Sequence, residues 1–150
     1  MLNPLDLDVS DLDQPVWVRT PTKCEPILFF DGDRFLHHIQ DEYETFDVLT
    51  YSLSRSEDAP LRHIDRLITN IPLVSRSGLR PKQVRVIINN HAKLYLCYAE
   101  DKALQVCYVG SQNLSHGTQI NLMYRVDYIY NKTLADFFER LWKAAKAPKK

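Results

Sequence analysis

Apolar positions along the chain change period several times, and those changes divide it into elements. Ile27-Leu28-Phe29-Phe30 is a short apolar run, closed by the turn signal Asp31-Gly32-Asp33. Between residues 33 and 45, Phe35, Leu36, Ile39 and Tyr43 recur at spacings of three and four, which predicts a helix. The run Phe46 to Ser54 reads as a strand. Pro60 to Ile71 reads as a second helix, with Pro60 in its first turn and Leu61, Ile64, Leu67 and Ile68 on one face. Val74 to Lys82 is a basic connecting loop, and Val84 to Ile88 a strand that runs through Asn89 and Asn90 into His91. A further strand is expected from Ile120 to Tyr130. The last helix begins near Asn131, with Thr133 and Asp136 as a capping pattern and Leu134, Phe137, Phe138, Leu141 and Trp142 as its apolar stripe. Residues 1 to 25 are acid-rich, contain prolines and read as an extended arm. There is no internal repeat.

Strands alternating with helices allow an α/β class. At 150 residues, 45% apolar and 25% charged, the chain is long enough for one domain with a substantial core. No run approaches the roughly 18 to 20 apolar residues that span a bilayer, so no membrane partner is expected. The acidic N-terminus lacks the basic flank and apolar centre of a signal peptide. Cys24, Cys97 and Cys107 have no Cys-x-x-Cys spacing and read as reduced thiols, so a cytoplasmic location is expected.

Net charge is zero but segregated. Residues 1 to 60 hold 4 Lys/Arg against 13 Asp/Glu, and residues 61 to 150 hold 15 against 6. The basic part suits a polyanionic ligand, although the two parts also neutralise each other.

The candidate chemistry lies in that basic part. In His91-Ala92-Lys93, strand alternation puts the imidazole and the ammonium on one face and turns Ala92, Leu94 and Leu96 towards a core. Ala99-Glu100-Asp101-Lys102 is a turn that folds the chain back, so Gly110-Ser111-Gln112-Asn113 ends the next strand near His91. His91, Lys93, Ser111 and Asn113 then converge as a set able to hold and attack a phosphate. Arg76, Arg80 and Lys82 of the basic loop are candidate substrate contacts. His37 and His38 point to different helix faces, no cluster has metal-ligand spacing, and no metal or cofactor is expected. His63 lies beside Arg62 and Arg66 on a solvated face, and Tyr95, Tyr98 and Tyr108 read as core or dimer surface.

His-x-Lys followed across a hairpin by Gly-Ser-x-Asn resembles the phospholipase D superfamily. The resemblance covers residues 45 to 146, including Phe46 to Ser54 as the family's first strand, and leaves residues 1 to 44 as an arm, short strand and helix packed on a phospholipase D-like domain of residues 45 to 150. Two positions depart from the pattern. Tyr98 stands where the family carries an Asp, and Met123 stands where it carries a Glu that orients the histidine; Asp127, roughly 13 Å further along the strand, is too distant to replace that Glu.

The resemblance implies an α/β fold with a mixed sheet flanked by helices on both faces, and a homodimer, because a single motif supplies one histidine where the reaction needs two. It implies a metal-independent phosphodiesterase (a hydrolase, and for this small chain a nuclease binding DNA or RNA) acting through a phosphohistidine on His91, with Lys93, Asn113 and Ser111 on the phosphoryl oxygens. The alternative is a domain of this fold that binds nucleic acid or a protein with little catalysis, as the losses at 98 and 123 suggest.

Overall fold

The computed structural model describes residues 16–17, 25–51, 64–70, 84–88, 90–111 and 118–147. Among these residues, eight strands form one mixed sheet: β1 (Val16–Trp17), β2 (Glu25–Asp31), β3 (Thr45–Thr50), β4 (Ile64–Thr69), β5 (Val84–Val86), β6 (Leu94–Tyr98), β7 (Leu104–Gly110) and β8 (Thr118–Val126), in the order β1-β2-β8-β7-β6-β3-β4-β5. Helix α1 (Gly32–Glu42) follows β2, and α2 (Asn131–Ala144) follows a 3-10 turn at Tyr128–Tyr130. Strands β3, β4 and β5 run parallel, and every other pairing is antiparallel.

The two helices cover opposite faces, as the α/β reading expects. Phe35, Leu36 and Ile39 of α1 share a buried cluster with Phe46, Val48, Leu67, Tyr95, Tyr108 and Met123. The Phe35 ring meets Tyr95 and Tyr108 edge-on at 5.6 and 5.5 Å, an arrangement favoured by the ring quadrupoles. On the other face Phe138 of α2 packs with Leu49, Ile68, Leu94, Leu96 and Cys107. Central strands therefore bury side chains of both parities, which gives apolar runs in place of alternation.

That double burial explains the main correction to the sequence reading. The segment expected as a helix from Pro60 to Ile71 contains β4, with Ile64 and Leu67 in the α1 cluster and Ile68 in the α2 cluster. Spacings of three and four are met equally by a short strand buried on both sides, and β-branched Ile64, Ile68 and Thr69 fit the pleat. The capping pattern at Thr133 and Asp136 is also absent. The helix starts at Asn131 with no side-chain cap, Asp136 instead takes Lys132 at 2.8 Å, and Asp127 caps the preceding turn through Ile129 N–H at 3.1 Å.

A charged network ties α2 to the sheet. Arg66 of β4 donates from Nε and Nη2 to Asp47 of β3 at 3.2 and 2.7 Å and pairs with Glu139 at 2.7 Å. Its guanidinium lies over Phe138 and Trp142 at 5.0 and 5.4 Å. Burial pushes the Asp47 carboxyl above its usual range, partly offset by the hydrogen bonds from Arg66 and from the Tyr98 hydroxyl at 3.0 Å. Burial also opposes the Arg66 charge, but Asp47 and Glu139 outweigh it and hold the guanidinium firmly protonated. Beyond α2, Lys146 exchanges two backbone hydrogen bonds with Val86, which covers the outer edge of β5.

Candidate functional site at the carboxyl edge of the parallel strands

Parallel β3, β4 and β5 all end at one edge of the sheet, at Thr50, Thr69 and Val86. The chain must then travel from β5 past β4 and β3 to start β6 on the far side of β3. His91 and Lys93 lie on this crossover, just before β6. Ligands of open α/β sheets gather outside the carboxyl ends of the strands where the strand order switches, and this edge is such a place.

The crossover is tied to each strand that it passes. Ile87 N–H donates to Thr69 C=O at 3.0 Å. Asn90 Nδ2 donates to Thr50 C=O at 3.0 Å, while Asn90 Oδ1 accepts from Ala92 N–H at 3.0 Å. Gly110 N–H reaches Lys93 C=O at 3.4 Å and extends the β6–β7 ladder by one rung. The turn expected at Ala99 to Lys102 is present, closed by Lys102 N–H on Ala99 C=O at 2.9 Å.

His91 and Lys93 come together as expected, with Lys93 Nζ 3.0 Å from His91 Nδ1. His91 is exposed and Lys93 half-buried, and burial lowers the Lys93 pKa. Ala92, expected to face the core, is exposed, because residues 91–93 stand beyond the last covered rung of the sheet; Leu94 and Leu96 are buried as expected. The Tyr51 ring, directly after β3, lies 4.9 Å from the His91 ring at a tilt of 41°, and Lys93 Nζ sits 5.8 Å from the same ring.

Ser111 ends β7 one residue beyond the Gly110–Lys93 rung. Its Oγ donates to Asn121 Oδ1 at 2.9 Å and accepts from Leu122 N–H at 2.9 Å, while Ser111 N–H donates to Leu122 C=O at 3.0 Å. The hydroxyl therefore closes the β7–β8 ladder and holds Asn121 at the same edge. Asn113, Arg76, Arg80 and Lys82 lie outside the described residues.

Tyr98 is at the other end of β6, paired with Thr45, roughly 23 Å from His91 at the rise of a strand. Its hydroxyl serves the Asp47–Arg66 network, so its identity bears on the docking of α2 and not on the edge that carries His91. Met123 does bear on that edge. It pairs with Gly110, is 0% exposed, and sits one strand beyond the rung that holds Lys93. A Cβ on Gly110 would stand 2.2 Å from Leu122 O and 2.8 Å from both Met123 Cα and Sδ, so the close approach of β7 and β8 here requires glycine.

The sequence reading missed Tyr51 and Asn90 as site residues. Tyr51 is 40 positions before His91, and the β3–β6 pairing with the Asn90–Thr50 bond brings them together. Asn90 carries no motif, although a carboxamide beside a candidate histidine was a weak signal.

No family model, curated protein or solved structure matches the chain. Among the described residues, no group of three His, Cys, Asp or Glu side chains is placed to hold a metal ion, and no helix is long and apolar enough to cross a membrane.

Proposed function

We propose that the chain is a metal-independent phosphodiesterase of the phospholipase D type that acts on nucleic acid, with His91 as its nucleophile. The observation that supports this most is an exposed imidazole held 3.0 Å from a lysine ammonium at the carboxyl edge of the parallel strands. The ammonium attracts a phosphodiester to the ring.

In the reaction, His91 Nε2 attacks phosphorus and the bond to the leaving oxygen breaks. The His91 of a second copy, protonated, gives its proton to that oxygen. It then takes a proton from water, whose oxygen displaces the phosphohistidine and restores the first ring. Attack through Nε2 requires the ring proton on Nδ1, where it faces Lys93. When the phosphodiester binds, the Lys93 ammonium moves onto its oxygens, which frees Nδ1 to carry that proton. Two such sites must face each other across a two-fold axis at this edge. The exposed Tyr128, Ile129 and Tyr130 lie at the opposite end of β8 and are not that surface.

One observation favours a second reading, a phosphate-binding domain without turnover. A charged Lys93 donates to Nδ1 and leaves the neutral ring's proton on Nε2, which removes the nucleophilic lone pair. Buried Met123 offers no carboxylate to reverse this. Hydrolysis of bis(p-nitrophenyl) phosphate in EDTA, with His91→Ala beside it, separates the two. Turnover that survives chelation and disappears in the variant supports the enzyme. Salt-sensitive oligonucleotide binding that persists in His91→Ala, with no turnover in either protein, supports the binder.

A further inference from the structure

We infer that Tyr51 is a stacking platform for the nucleobase next to the bound phosphate, so that the site selects nucleic acid over other phosphodiesters; this rests on the phosphate-site reading above. Thr50 is 0% exposed, yet the next residue, Tyr51, is 40% exposed, so the ring leaves the core at the point where β3 ends. It stands 4.9 Å from the His91 ring, and their 41° tilt makes the two rings diverge from one another. Lys93 Nζ lies 5.8 Å from the Tyr51 centroid, a distance on the scale of the single sugar that separates a base from its phosphate.

A phosphate drawn to Lys93 and His91 therefore sets its neighbouring base beside a partly exposed aromatic ring. Stacking is tolerant of sequence, because every base has a π-face. Ile88, 69% exposed on the same crossover, adds apolar surface beside this edge. The Asn90 side chain holds the platform in place, since its bond to Thr50 C=O fixes the end of β3 against the His91 segment.

The test compares fluorescence anisotropy of labelled octathymidylate with that of an abasic phosphodiester of equal length, for the unaltered protein, Tyr51→Ala and Tyr51→Trp. The unaltered protein should prefer the base-bearing strand about tenfold, the scale of one stacked base. Tyr51→Ala should lose the preference while keeping its affinity for the abasic strand, which also shows that fold and phosphate site are intact. Tyr51→Trp should keep or increase the preference. Equal binding of both strands by the unaltered protein overturns the platform and leaves the phosphate site standing. Equal loss of both strands in Tyr51→Ala makes the ring a packing element and overturns the inference. Failure of the unaltered protein to bind either strand overturns the phosphate site and the platform together.

Discussion

Replacing Met123 by a glutamate asks whether position 123 faces the His91–Lys93 pair or only the core. Met123 is 0% exposed and packs in the α1 cluster, with Gly110 between it and Lys93 on the sheet. A carboxylate buried there without a partner would have its pKa raised, to about 7 from about 4.3 if burial shifts it as it does other core carboxyls. The sign follows from linkage. The folded state then binds the proton more tightly than the unfolded state, so the penalty is absent below about pH 4.3 and grows by about 1.4 kcal/mol per pH unit up to the folded pKa. By pH 7 it reaches about 3.7 kcal/mol. Met123→Gln carries the same size and lost packing with no titration, so the difference between the two variants isolates the charge.

If the introduced carboxylate instead meets Lys93 or the Nδ1 proton of His91, its folded pKa stays low and the difference remains within about 1 kcal/mol from pH 5 to 8. The same contact would hold the ring in its nucleophilic tautomer and raise cleavage about tenfold. Urea denaturation at fixed protein concentration across that pH range measures the gap, and single-turnover cleavage measures the rate. A gap that widens by about 1.4 kcal/mol per pH unit, with no gain in rate, would refute the placement of residue 123 at the site.

Gly110→Ala should destabilise the protein by about 3 kcal/mol in urea unfolding, from steric conflict with Leu122 O and loss of ladder bonds around Ser111; adding Met123→Ala should not rescue it, because the 2.2 Å contact is with backbone. Asn90→Ala removes two hydrogen bonds and should cost about 1 to 2 kcal/mol by thermal or urea unfolding, with a larger proportional loss of cleavage than of stability. Burial pushes the Cys107 thiol up to about 12 and raises Cys97 as well, so at pH 8 both should resist an aromatic disulfide reagent until urea unfolds the chain. Light scattering at micromolar protein should give twice the chain mass of 17.5 kDa, and a monomer at high concentration would remove the two-histidine reaction.

Much of this was legible from residue order because the signals were local. The α1 stripe at Phe35, Leu36 and Ile39, the turn at Ala99 to Lys102 and the α2 stripe at Leu134, Phe138, Leu141 and Trp142, from which Phe137 turns out to solvent, each depend on neighbours within one or two turns. The His-x-Lys spacing likewise foretold the contact between His91 and Lys93. Apart from the cap expected at Thr133 and Asp136, what failed was non-local. Nothing within Pro60 to Ile71 shows that Leu67 and Ile68 are each covered by a different helix, so a two-faced strand passed for an amphipathic helix. Tyr51 and Asn90 gain their positions from strand pairing, which leaves no mark on the spacing between them. Tyr98 showed as a departure from a pattern, whereas its environment is set by Asp47, 51 residues away.

The tethers of the crossover also constrain the order in which the molecule can assemble. Asn90 is fastened to Thr50, 40 residues earlier, and Lys93 to Gly110, on a strand synthesised afterwards. Closing such loops costs entropy before any contact repays it, so these joints form late. A chain still emerging from the ribosome, or one clipped between β6 and β7, therefore has the histidine and the lysine but no fixed geometry between them. The geometry around His91 is in this sense a report that β3 through β7 have found their places.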